Sequence, residues 1–220
     1  MHVPELEVSF WPFSQDELEA WKGRERSLIA DCWGPLRRVL CKKADARPGR
    51  RFFGEAYVAA GTPCEQAWYG SFKWLTSPRW SQTHRRLKDP YQRRFRAALL
   101  RHFPELEQAQ EVARAVRHLF PGPKPVGPDL WFVSDNRHRF VEVKLPDDDL
   151  KRHQLVGLAL IALYLHSDRP VSVEVVSLYC GGKRDNSKTV KKDFSAVCAK
   201  LEKAASGLLA PRTGRRETLR

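Results

Sequence analysis

The apolar positions along the chain change period several times, and each change predicts an element. Residues 5–11 (ELEVSFW) alternate loosely and predict a strand. SQDE, Ser14 to Glu17, has the spacing of a capping box that opens a helix. Leu18, Trp21, Leu28, Ile29, Cys32 and Trp33 follow at roughly helical spacing, and Pro35 is expected to end or kink that helix. KKADARPGRR (42–51) reads as a linker. A pair of helices is expected next, RFFGEAYVAAG and CEQAWYGSFKWL, separated by Gly61, Thr62 and Pro63. Residues 91–119 carry a helical period broken at Pro104, and PGPKPVGP (121–128), with four prolines, reads as a stiff connector.

Beyond the connector the pattern becomes strand, turn, strand, helix, strand, helix. The expected strands are DLWFV, RFVEVKL and VSVEVVSLY; the helices span about 149–165 and 189–205. The chain closes on a basic tail from residue 207, expected to be disordered. This order predicts an α/β fold: a short mixed sheet flanked by helices, with a strand and helical extension over residues 1–48.

Composition narrows the partners. The chain has 220 residues, with 39 Lys and Arg against 26 Asp and Glu, a formal net charge of +13. Such an excess points to nucleic acid. The longest apolar run, LVGLALIALYL (155–165), has eleven residues. Spanning a bilayer takes about 20, so a buried helix is expected and no membrane partner. The N-terminal stretch MHVPELEVSFWPF has the pattern of neither a signal nor a transit peptide. Five Cys at 32, 41, 64, 180 and 198 form no CxxC pair. That argues against a zinc ribbon and for reduced thiols in the cytoplasm.

Against this basic background, GPDLWFVSDNRHRFVEVKLPDDDLKRHQ (127–154) gathers acids beside apolar runs. In RFVEVKL, Phe140, Glu142 and Lys144 share one face, and Val141, Val143 and Leu145 share the other. A strand buried on its apolar face pays heavily for an acid and a lysine on the other face unless they are paired or used. SDNRH (134–138) supplies turn residues, so a hairpin would return Asp129 to Glu142. Two carboxylates on adjacent strands can hold a hard divalent cation, Mg2+ or Mn2+. Such an ion lowers the pKa of bound water and neutralises phosphate charge; the lysine can position that water and stabilise developing charge.

The spacing Pro128-Asp129, then Glu142-Val143-Lys144, is that of the PD-(D/E)xK nucleases. Gly127, Leu130, Val141, Pro146, Asp148, Leu150 and Gln154 extend it. Together they resemble the VRR-NUC family of that superfamily, with Leu145 where the family usually has glycine. Upstream, EAYVAAGTPCEQAWYGSFKWLTS (55–77) is similar to the helix pair before the nuclease core of the Fanconi-associated nuclease. The resemblance implies a restriction-endonuclease-like core over residues 49–206, with a basic helical insertion near 79–119. It implies metal-dependent hydrolysis of phosphodiester bonds in flapped or branched DNA, in repair, recombination or phage replication. Asp129 and Glu142 would bind the metal, with the Val143 carbonyl in the shell and Glu65, on the second helix of the pair, as a further ligand. Glu55, on the first, would not be one. Lys144 would activate water and Gln154 contact the site. A dimeric Holliday-junction resolvase and an inactive DNA-binding adaptor are the alternatives, and a homodimer is left open.

The basic block 79–96 interleaves Trp80, Tyr91 and Phe95 with seven Lys and Arg. It is the expected DNA contact, through Arg79, Arg85, Arg86, Lys88, Arg93 and Arg94. Lys151 and Arg152, beside the site, are expected to bind phosphate. Asp148 and Asp149 are expected to cap the helix that follows.

Overall fold

The computed structural model describes residues 4–47, 49–77, 80, 87–182 and 185–209. The first strand, β1 (Leu6–Pro12), ends at the predicted capping box: Ser14 Oγ accepts from Glu17 N, and the Glu17 carboxylate accepts from Ser14 N, opening α1 (Gln15–Lys22). The long helix expected to follow is cut short. α1 stops at Lys22, residues Ser27–Ile29 form one 3-10 turn, and Pro35 opens a new helix, α2 (Gly34–Ala46), instead of ending one. Proline fits a first helical turn because its missing N–H has no partner there. α2 runs through half of the expected linker. It is followed by α3 (Phe53–Ala60) and β2 (Gln66–Tyr69).

β2 corrects the expected second helix. Ala67 and Tyr69 face one core and Trp68 the other, the alternation of a strand buried on both faces. Its two adjacent aromatics also favour a pleated surface.

The helical period after residue 90 yields α4 (Pro90–His102) and α5 (Leu106–Val116), broken at Pro104 as expected. The remaining elements are β3 (Leu130–Ser134), β4 (Arg137–Lys144), α6 (Arg152–Tyr164), β5 (Val171–Tyr179) and α7 (Ser187–Leu209). The tail expected to be disordered from residue 207 begins instead as the end of α7, and past Leu209 it lies outside the described residues.

The strands form one mixed sheet in the order β1-β5-β4-β3-β2. β1 and β4 both run parallel to β5, while β3 is antiparallel to β4 and to β2. Alternation along the strands feeds two cores. Trp131, Phe140, Val173 and Val175 pack with α4–α7, whereas Leu130, Val141, Val143 and Val176 pack with α1–α3. The result is a sheet with helices on both faces. β3 and β4 make the expected hairpin, with Ser134 paired to Arg137 across a two-residue turn. α6 is apolar along most of its length and buried from Leu155 to Ile161. The backbone oxygen of Val126 occupies the space a Cβ on Gly157 would need, which seats the proline-rich connector against this helix.

Candidate active site

The hairpin register places the acids. Leu130 pairs with Val141, so one step outward Asp129 stands opposite Glu142. Asp129 Oδ2 accepts from Val143 N at 3.1 Å, and its carbonyl accepts from Gly70 N at 2.8 Å. Backbone on both neighbouring strands thus fixes its position.

Glu142 and Lys144 lie on the face of β4 that meets α6, 1% and 8% exposed. Lys144 Nζ donates to Glu142 Oε1 at 2.9 Å and to Gln154 Oε1 at 2.9 Å. Gln154 Nε2 donates to the same Glu142 oxygen. Gln154 Oε1 also accepts from Lys151 N at 2.9 Å, the donor left open at the start of α6. The helix is therefore capped from within by Gln154. Lys151 is its N-cap, not Asp148 or Asp149.

A cleft of about 710 Å3 opens over these groups. Its wall includes Glu55, from the first turn of α3, together with Asp129, Glu142, Lys144 and Gln154. Burial, then the charge of Asp129, pushes the Glu55 carboxyl up to about 8. Burial also raises Asp129, against the opposing effect of the Val143 N–H. Glu142 is raised well above the usual carboxylate range by burial and then by Asp129. Asp129 and Glu142 lie within hydrogen-bonding reach of each other, an arrangement that favours sharing a proton over carrying two charges. Among the described residues Lys144 is the one cation in a salt bridge with these three acids, while Arg50, Arg51 and Lys151 also line the cleft.

Glu65 is not part of this group. It precedes β2, is exposed, and its N–H bonds Val133 O at the turn end of β3. Asp129 stands at the opposite end of β3, roughly 16 Å away by the rise of an extended chain. Glu65 neighbours Asp135 instead. Its expected role depended on a helix that is a strand. The acid that reaches Asp129 is Glu55. Its sequence signal was a single acid in an otherwise apolar eight-residue helix, FGEAYVAA, in which Phe53, Gly54, Ala56, Val58 and Ala59 are buried.

The expected DNA contacts separate. Lys151 is exposed on the cleft rim. Arg152 turns away, its guanidinium 5.7 Å from the Phe120 ring centroid. Lys88 and Arg94 are exposed. Arg93 donates to the carbonyls of Leu87 and Lys88, both at 3.3 Å, and so braces the approach to α4. Arg79, Arg85 and Arg86 lie outside the described residues. Val143 lines the cleft with its N–H held by Asp129.

Among the described residues no three His, Cys, Asp or Glu side chains are grouped as a ready metal cage. The donor set still fits a hard cation, since Mg2+ is commonly held by one or two carboxylates and keeps several waters. Among the described residues no helix is long and apolar enough to cross a membrane. Compared with family models, curated proteins and solved structures, the chain gives no match.

Proposed function

We propose that the chain is a metal-dependent nuclease of the PD-(D/E)xK type that hydrolyses phosphodiester bonds in DNA. The observation that carries this reading is the convergence of Asp129, Glu142, Lys144 and Gln154 in one cleft. Such a cluster offers carboxylate oxygens to a divalent cation, and a cation held there would draw in a phosphate.

Asp129 and Glu142 would hold Mg2+ or Mn2+, with Glu55 as the third acid in place of Glu65. An ion held there would supply charge neutralisation at the phosphate and a more acidic water. Lys144 supplies the rest from the protein side. Its ammonium, held between Glu142 and Gln154, directs a proton donor toward the cleft, where it orients the attacking water and stabilises charge on the phosphoryl oxygens. Water attacks phosphorus in line and releases a proton to solvent, a P–O bond forms opposite the one that breaks, and the leaving oxygen departs with a proton from solvent. Gln154 holds Lys144 and Glu142 in register. Lys151, on the rim, binds the backbone beside the scissile phosphate.

The test is cleavage of end-labelled single strand, duplex, 5′ flap, 3′ flap and four-way junction by wild type and Lys144→Ala, in Mg2+, Mn2+ or chelator. Metal-dependent cutting that the variant loses supports the nuclease. DNA bound but left uncut by wild type in either metal would overturn it.

A further inference from the structure

The N-terminal extension carries a second concavity that the catalytic reading leaves unused. α2 and the start of α4 enclose a groove of about 280 Å3. Pro35, Val39, Pro90 and the half-buried Tyr91 give it an apolar floor, and Arg38, Lys42 and Arg94 stand exposed on its rim. Among the described residues none of these three cations forms a salt bridge. Asp89 also lines the groove, but its Oδ1 accepts from Tyr91 N at 2.8 Å and Gln92 N at 3.1 Å, so this acid serves the N-terminus of α4.

The groove adjoins the carboxylate cleft through one aromatic layer. Tyr91 Oη accepts from Tyr69 N at 2.6 Å, and its ring centroid lies 6.3 Å from that of Phe72. Lys43, on α2, places its ammonium 4.8 Å from the Tyr69 centroid, 5.5 Å from Phe52 and 5.8 Å from Phe72. Burial and then the charge of Arg47 lower the Lys43 pKa, against Asp89 of the groove and Glu55 of the cleft. Phe52 lines the cleft and has φ 63°, a left-handed conformation that a bulky side chain adopts only under constraint.

We propose that the α2/α4 groove holds the unpaired strand of a nucleic acid whose scissile phosphate occupies the carboxylate cleft. Arg38, Lys42 and Arg94 take successive phosphates, and Tyr91 lies under a base. The groove's link to cleavage rests on the nuclease reading; its capacity to bind does not. A positive rim over an apolar, ring-bearing floor is the construction that receives single strands, because every exposed base offers a π-face and every linkage a charge. A duplex hides its bases and is too wide and stiff for a groove of this size. An acidic peptide would meet the rim but leave the ring unused.

The test measures binding by the intact protein in chelator, where cleavage is blocked. Probes are a labelled oligothymidine of about fifteen nucleotides, a blunt duplex and an oligoglutamate. The Arg38→Glu/Lys42→Glu variant should bind the single strand about tenfold more weakly near ~100 mM salt, and its slope of log affinity against log salt should be shallower by about 1.4. Arg94→Gln, on the other helix, should flatten the slope by about 0.7. The duplex should respond less, and the oligoglutamate should not compete. Unchanged affinity and slope in well-folded variants would overturn the proposal. So would equal weakening of the duplex, or competition by the oligoglutamate. A wild type that binds single strands through these residues yet cuts nothing in metal would keep the groove and lose the nuclease. One that cuts normally with the variants unaffected would do the reverse.

Discussion

Gln154 and Glu142 meet at a single oxygen: Gln154 Nε2 donates to Glu142 Oε1, the atom that also accepts from Lys144 Nζ. The other end of the same amide accepts from Lys144 Nζ and from the opening N–H of α6. One side chain therefore fixes the acid–lysine pair and starts a helix. Gln154→Ala should lower kcat by about ten- to a hundredfold and cost about 1 kcal/mol of stability through the lost cap. Gln154→Glu keeps an acceptor for Lys151 N and Lys144 but sets a carboxylate against Glu142. It should recover the cap contribution and leave activity low. Paired melting curves and single-turnover cleavage separate the two effects.

Lys144→Met removes the cation from Glu142, whose side chain is almost wholly enclosed. Leaving one member of a buried pair alone costs about 3–5 kcal/mol; loss of charge stabilisation at the phosphate should slow cleavage by at least about a hundredfold. Chemical denaturation at neutral pH reads the first effect. Restoring Mg2+ should recover part of the stability and none of the rate.

Glu55→Gln and Glu65→Gln distinguish two acids ten positions apart in the chain. The first should abolish metal-dependent cutting and, in chelator at pH 8, raise the melting temperature by relieving repulsion with Asp129. The second alters an exposed residue at the other end of β3 and should stay within about 0.5 kcal/mol of wild type, with unchanged cleavage. The opposite pattern of cleavage would return the metal site to Glu65.

These acids also show what the sequence could carry. The hairpin and the shared face of Glu142 and Lys144 follow from period-two alternation and turn residues, and they appear as expected. Gln154 is expected at the site through the family resemblance alone, and the first turn of α6 carries it there. QAWY failed because a short apolar run buried on both faces has no period of its own, so helix and strand read alike. That error set Glu65 beside the expected site, where the structure places Glu55. The division of α1 from α2 was equally hard to read, since Leu28 and Ile29 continue a helical spacing through what is a separate 3-10 turn.

His138 gives the pH dependence away from the cleft. It is 0% exposed, its ring 4.9 Å from His102 and 4.8 Å from Phe103, and neither nitrogen has a hydrogen-bond partner among the described residues. Burial, followed by the charges of His102 and Arg169, lowers it to about 4, with Asp168 opposing. The unfolded chain protonates near pH 6.5, so stability is complete above that value and falls as pH drops from about 6.5 toward 4. The loss amounts to at most about 3 kcal/mol. His138→Phe should flatten stability over this interval, measured by denaturant midpoints at successive pH values. A slope equal to that of wild type would assign the titration elsewhere.

The pairing of β1 with β5 joins residues made far apart in time. Ser9 Oγ donates to Glu174 Oε1 at 2.6 Å across 165 positions of the chain. At roughly 5–20 residues per second, a ribosome takes on the order of ten seconds or more to synthesise the partner that β1 needs. During that interval Val8, Phe10 and Trp11 emerge without the strand they later pair with. The nascent protein thus offers an early, sticky segment to chaperones. Its sheet closes only when nearly all of the described chain has left the exit tunnel.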